Sequence, residues 1–338
     1  MKKILPFILK YVIAFGLAGF LVWLSLRSIS PGDRVTMRGA LAHAKYLLII
    51  PVFILLMLSH IFRVLRWQQL IEPMGYKPPV FDLLCALLVG YVTNQLIPRG
   101  GEIVRCTSVA RQHKIPTEKL IGTIISERVV DVLCLLILGC AVFFVHYASL
   151  SFYVKKSFLT FTSTFKSDNR LAHWLIGLSV LVAFFLILYI IKKVSKKTAA
   201  FFSKLLKGFW EGFVSIKSVS NKWKFGVYTV LIWVCYIFTT WIGCFGLKET
   251  THLPISTGVT LLISGTLGII VSPGGLGAYP WAIQQTLLLY GIGEGIAKAF
   301  GWLLWLAQFL FTIIFGTLAY IAINMRSRRY EKHSISTT

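Results

Sequence analysis

The chain has 338 residues, of which 56% are hydrophobic and 14% charged, with a mean hydropathy of +0.75 and a formal charge of +23. That balance excludes a soluble domain and describes a multispanning membrane protein. Nucleic acid is also excluded, because Lys and Arg sit in short connections between apolar runs, where membrane topology and anionic headgroups account for them.

In chain order, Met1-Lys-Lys opens a long apolar stretch with no small-x-small cleavage site after Trp23, so residues 5–26 are expected to be a retained first span. Further spans are expected near 46–65, 118–147, 171–191, 225–246 and 299–323. Two other apolar stretches, 80–112 and 255–292, are each interrupted by a Pro/Gly-rich break: Pro98-Arg-Gly-Gly-Glu102 and Ser272-Pro-Gly-Gly-Leu-Gly-Ala-Tyr-Pro280. Broken helices persist at membrane depth where protein or an aqueous cavity surrounds them, and transporters place substrate sites there. Each stretch is read as a re-entrant hairpin, with two full spans per stretch as the alternative. The expected fold is an all-α polytopic bundle of six full spans and two re-entrant hairpins, eight membrane segments in a single integral membrane domain over 1–338.

Charge bias puts Lys2, Lys3, the Arg63-Arg66-Lys77 group, the basic connection 192–224 and Arg326 to Lys332 on the cytoplasmic side, with both termini there, in a cell inner membrane. Arg27, Arg34, Arg38 and Lys45 in the connection 27–45 run against that assignment. Within 192–224, lysines alternate with Phe201, Phe202, Leu205, Phe209, Trp210 and Phe213 as an amphipathic helix on the cytoplasmic leaflet would have them, or as an ordinary basic connector would. The same count exposes a pattern: span, broken hairpin and span over 46–147 are matched over 225–323, entering from the opposite side, as in inverted-repeat transporters.

Around the first break lie Asn94, Arg99, Gly101, Glu102 and Arg105. The glycines permit a tight turn, and the helix starting near Glu102 would turn backbone N–H groups toward an anion. Arg99 and Arg105 offer forked donors suited to phosphate, and Glu102 can pair with them or with an amine. The structural alternative is that Glu102 neutralises one arginine and caps the helix. A second cluster, Glu127, Arg128 and Asp131, places two carboxylates at i and i+4 on one helical face with an arginine beside them. Such groups in an apolar helix must be paired or wet, so they serve gating, proton coupling or a fixed ion-pair network. The second break, with Ser272, Pro273, Gly274, Gly275, Gly277 and Tyr279, has no charge and is expected to shape the cavity, contact substrate through its backbone, act as a hinge, or only pack helices.

The remaining polar residues have plainer readings. Arg63 and Arg66 are read as snorkelling headgroup anchors, Glu294 as a solvated turn, and Trp302 and Trp305 as an interfacial anchor or core packing. His60, His113 and His146 have no metal-ligand spacing. The six cysteines form no close CxxC pair, so neither a disulfide framework nor a zinc site is expected, and no cofactor is implied.

In Asn94-Gln-Leu-Ile-Pro-Arg-Gly-Gly-Glu-Ile-Val-Arg105, Ser126-Glu-Arg-Val-Val-Asp131 and Ser272-Pro-Gly-Gly-Leu-Gly277, the chain resembles the lysylphosphatidylglycerol synthase transmembrane-region family of flippase-like membrane proteins, over roughly residues 45–323. The resemblance implies about eight membrane segments and, as in the aminoacyl-phospholipid proteins, movement of a lipid between leaflets. Asn94, Pro98, Gly101, Glu102 and Arg105 match the first motif, Glu127, Arg128 and Asp131 the second, and Pro273, Gly274, Gly275 and Gly277 the third. Many relatives carry a glutamate shortly after the third motif, where this chain has Pro280. The cytosolic aminoacyl-transfer domain has no counterpart here, so lysyl-lipid synthesis is not expected.

The resulting expectation is a transporter flipping a phospholipid or lipid-linked small molecule, alone, as a homo-oligomer, or with a synthase partner. The alternatives are a membrane enzyme using Glu102 or Glu127 as base and Arg99 or Arg105 on phosphate, which lacks a nucleophile-base pair, and a non-transporting partner of a lipid synthase.

Overall fold

The computed structural model describes residues 30–97, 100–164 and 221–336, together with Gly16, Gly19, Phe20, Val22, Trp23 and Val219. Every regular element among them is helical. In chain order these are α1 (Pro31–Ala42), α2 (Ile49–Ile71), α3 (Val80–Leu96), α4 (Gly100–His113), α5 (Thr117–Thr164), α6 (Lys222–Cys244), α7 (Ile255–Val271), α8 (Ala278–Leu289) and α9 (Glu294–Ser336). Two compact units divide the chain. The first comprises Met1–Arg128 and Ser215–Thr338, and the second, Val129–Val214, is described as helix from Val129 to Thr164.

Among the described residues three stretches are long and apolar enough to cross a bilayer: Tyr46–Met74, Lys222–Cys244 and Glu294–Arg326. They correspond to the spans expected near 46–65, 225–246 and 299–323, and 118–147 falls on α5. The expected spans at 5–26 and 171–191, and the segment 192–224 before α6, lie outside the described residues apart from isolated positions.

Two shorter apolar helices, α3 and α7, have 17 residues each, and proline sets both ends of both. Pro79 and Pro254 precede the first turns in extended conformation. At the other ends, Ile97 (φ −122°, ψ 104°) and Ser272 (φ −131°, ψ 152°) leave the helical region, as the residue before a proline must. At 1.5 Å per residue each helix spans about 25 Å, short of the roughly 30 Å hydrocarbon core. After each break a second helix turns back along the first. The α3–α4 hairpin closes so tightly that a Cβ on Gly101 would overlap the Gly90 carbonyl, and one on Gly90 would stand 2.8 Å from the Gly101 carbonyl oxygen. In the α7–α8 hairpin, Gly265 and Gly268 make room for buried Tyr279 in the same way.

Three apolar clusters bind the first unit. Trp67, Ile71, Leu83, Leu87, Cys106, Val109 and Leu120 pack α2 through α5 around the first hairpin. Leu261, Ile283, Leu287, Ala297, Phe300 and Leu304 do so for α7 through α9. Val52, Leu56, Leu88, Phe311 and Ala319 join α2 and α3 to α9.

Helix α1 was not anticipated. Its sequence carries a start signal nonetheless: Ser30 Oγ accepts from the Asp33 N–H at 3.1 Å, and Pro31 occupies the first turn. The backbone of Asp33 lies directly against Gly295 at the beginning of α9.

Candidate functional site

The two breaks meet. Gly274 adopts φ +59° in the turn Pro273–Gly275, and a Cβ there would overlap Oε1 of Gln95, the penultimate residue of α3. Positive φ and contact together require glycine at this position. Trp305 of α9 donates from Nε1 to the Gly274 carbonyl at 3.0 Å, and Gln308 one turn on donates to the Tyr279 hydroxyl at 2.8 Å. Ser272 Oγ donates to the Leu276 carbonyl at 3.0 Å, and Gly277 (φ +75°) starts α8. The second break is therefore held largely by its own polar groups and by α9. Trp305, read from sequence as an anchor or packing residue, is its main hydrogen-bonding support.

At the first break the start of α4 is capped from within the chain. Asn94 Oδ1 accepts from the Gly101 N–H at 2.8 Å, and the Gly100 N–H donates to the Ile97 carbonyl at 2.9 Å. Two of the N–H groups that open the helix are thereby satisfied. Arg99 and Pro98 lie outside the described residues.

The remaining candidate charges divide into two sets. Glu127 and Arg105 are buried: Arg105 Nη1 lies 2.9 Å from Glu127 Oε2, and Arg66 Nη2 of α2 lies 3.7 Å from Glu127 Oε1. The Arg105 guanidinium stacks 3.6 Å over the Trp67 ring, whose Nε1 donates to Thr123 Oγ1 at 2.8 Å. Arg66 also reaches Thr229 of α6 at 3.5 Å, and Arg63 reaches the Tyr236 hydroxyl at 3.3 Å. Charged groups removed from water need opposite charge near them, and this network sets two guanidiniums on one carboxylate with the Trp67 ring under one of them. It corrects the snorkelling reading of Arg63 and Arg66. Both are buried, Arg66 completely, and Arg66 faces Glu127, whose carboxylate in an apolar helix requires a cationic partner.

Glu102 and Arg128 form the other set, Arg128 Nη2 and Nε lying 2.7 and 2.9 Å from Glu102 Oε1 with both side chains partly exposed. Asp131, one turn further along α5, belongs to the second unit and is half-buried. The sequence clusters 94–105 and 127–128 are thus brought together by antiparallel α4 and α5, as an inner and an outer ion pair.

Two further groupings had no place in the sequence reading. Asp82, in the first turn of α3, pairs with Arg326 of α9 and with His113 Nε2 at the end of α4, the latter at 3.2 Å. Glu294, read as a solvated turn, pairs at 2.9 Å with Lys298, whose side chain is buried. Among the described residues no group of three or more His, Cys, Asp or Glu side chains is placed to hold a metal ion, and all six cysteines are free thiols.

Long apolar helices, two broken hairpins and buried ion pairs define a multi-pass, all-α membrane protein. The chain belongs to the family described as the lysylphosphatidylglycerol synthase TM region, which matches residues 7–316. It is similar to a UPF0104 membrane protein of Methanocaldococcus jannaschii, 24% identical over 300 residues that cover 84% of this chain and 86% of that protein. No solved structure matches.

Proposed function

We propose that the protein moves a phospholipid or a lipid-linked small molecule between the leaflets of the cell inner membrane, with both termini cytoplasmic. One observation carries this reading: two helices broken by proline and glycine, one from each half of the first unit, abut at Gln95 and Gly274. Such a contact offers two short elements that can part without unravelling a full span, as in transporters whose sites form between discontinuous helices. Membership in the lysylphosphatidylglycerol synthase TM-region family supports a lipid-related substrate. In this reading Asn94, Gly101, Ser272, Pro273, Gly275, Gly277 and Tyr279 shape and hinge the two tips. Arg105, Glu127 and Arg66 hold the first hairpin to α5 and α2.

The test is leaflet exchange of tail-labelled phospholipids in vesicles containing the purified protein, with and without a proton gradient. Acceleration over protein-free vesicles supports transport, and a rate unchanged for every headgroup overturns it.

A further inference from the structure

The inner and outer ion pairs differ in a way that assigns them different work. Arg105, Glu127 and Arg66 are enclosed, their side chains 6%, 2% and 0% exposed. Glu102 and Arg128 are 38% and 47% exposed, and three aliphatic side chains near them on α4 and α5 are exposed as well. Ile121 and Ile125 share a face of α5 with Arg128 at i, i+4 and i+7, and Ile103 adjoins Glu102. These three are 41%, 45% and 60% exposed. Aliphatic residues left uncovered on the helices of a membrane protein mark a surface at the level of lipid chains.

Depth sharpens the point. The connection between α4 and α5 carries Lys114, and the helix ends that it joins carry Arg111, Glu118 and Lys119, a polar stretch of the kind found at a membrane surface. From His113 back to Glu102, and from Thr117 on to Arg128, each helix runs 11 residues. At 1.5 Å per residue that places the pair about 17 Å from the connection, near the middle of a hydrocarbon core roughly 30 Å thick. A carboxylate and a guanidinium half-exposed at that depth are costly, and such groups in membrane proteins mark the route of a polar cargo.

We propose that Glu102 and Arg128 form the station through which a zwitterionic, net-neutral phospholipid headgroup crosses the midplane, its phosphate on Arg128 and its ammonium on Glu102. This rests on the transport reading above. The headgroup class follows from charge balance. A headgroup bearing one phosphate and one amine exchanges the outer pair for two intermolecular pairs, so that Glu102 and Arg128 each keep a counter-charge. A net-anionic headgroup leaves Glu102 without a counter-charge, and a net-cationic one adds a positive charge with none; either imbalance is penalised in low dielectric. The inner pair keeps the outer one in place. Arg105 stands one turn from Glu102 and Glu127 adjoins Arg128, so the Arg105–Glu127 bridge fixes both helices behind the station.

The experiment uses vesicles of neutral bulk lipid doped with one of three tail-labelled probes: phosphatidylethanolamine, phosphatidylglycerol, or lysine-esterified phosphatidylglycerol, respectively net-neutral, net-anionic and net-cationic. Wild-type protein is expected to exchange the first at least about tenfold faster than the other two. Glu102→Gln leaves a lone cation and should shift preference toward the anionic probe, whereas Arg128→Gln should shift it toward the cationic one. The swap Glu102→Arg with Arg128→Glu restores a pair and should restore preference for the zwitterion, and it carries the test where a single variant does not fold. Equal loss for all probes in both single variants, a folded swap that exchanges none of them, or a wild type indifferent to headgroup charge overturns the station while leaving transport standing. A wild type that exchanges none of the three probes overturns both.

Discussion

Glu127 is the residue on which most of the buried charge depends, since Arg66 and Arg105 both converge on its carboxylate. Glu127→Gln leaves two enclosed guanidiniums without their counter-ion. Breaking a buried pair costs about 3–5 kcal/mol, so this variant should lose most of its thermal stability in detergent, read by size-exclusion chromatography after heating. Glu102→Gln removes a carboxylate from a pair that stays partly exposed and should cost about 1 kcal/mol or less in the same assay. Equal losses in the two variants would refute the division into an inner structural pair and an outer accessible one. Half of this network was legible in the sequence. Arg105, Glu127 and Arg128 stand out because an ionisable residue in an apolar run demands explanation. Arg66 did not, because it lies five residues from the end of its helix, where snorkelling is the ordinary outcome, and its partner is 61 positions away with no local signal.

At the scale of elements the runs α2–α5 and α6–α9 share one order: a 23-residue helix, a 17-residue helix set between prolines, a break, a short helix and a helix of more than 40 residues. The breaks and the long helices were legible because proline and glycine stop helices through local sterics, which a single sequence records. Contacts between elements were not, and the cluster of Asp82, His113 and Arg326 shows why: two of its members sit at helix ends and the third in a basic stretch, each individually unremarkable. Asp82 is nearly buried and ties the base of the first hairpin to α9, so Asp82→Asn should loosen both. Faster amide exchange is expected in the first turn of α3 and in α9 near Arg326, with exchange around Gly274 unchanged. Unaltered protection at both sites would show that the cluster contributes nothing to docking. Glycine contacts supply a second check. Gly101→Ala forces a methyl group onto the Gly90 carbonyl and should cost about 1–3 kcal/mol, whereas Gly122→Ala, in open space on α5, should be neutral or stabilising by about 0.5–1 kcal/mol. Thermal stability in detergent separates the two.

For the molecule as a whole, sidedness follows from which ends touch. The Lys45 N–H, before α2, donates to the carbonyl of Gly246, just after α6, and Asp33 of α1 lies against Gly295 at the start of α9. At the other end of the same unit, Asp82 meets Arg326, and Arg66 near the end of α2 meets Thr229 near the start of α6. Helices α2 and α6 therefore run in opposite directions, and the two hairpins rise from opposite ends to meet at Gln95 and Gly274. If the basic end carrying Lys77 and Arg326 is cytoplasmic, Lys248 faces outward. With the native cysteines replaced, Lys248→Cys should react with a membrane-impermeant maleimide in intact cells, and Lys77→Cys only after permeabilisation; both lysines are exposed. Reaction of both from one side would place the two hairpin bases on the same face and remove the inverted arrangement. Labelling from opposite sides makes the contact between the two broken helices at Gln95 and Gly274 the barrier that a headgroup would pass under the proposed transport, because neither hairpin is long enough to close the membrane alone.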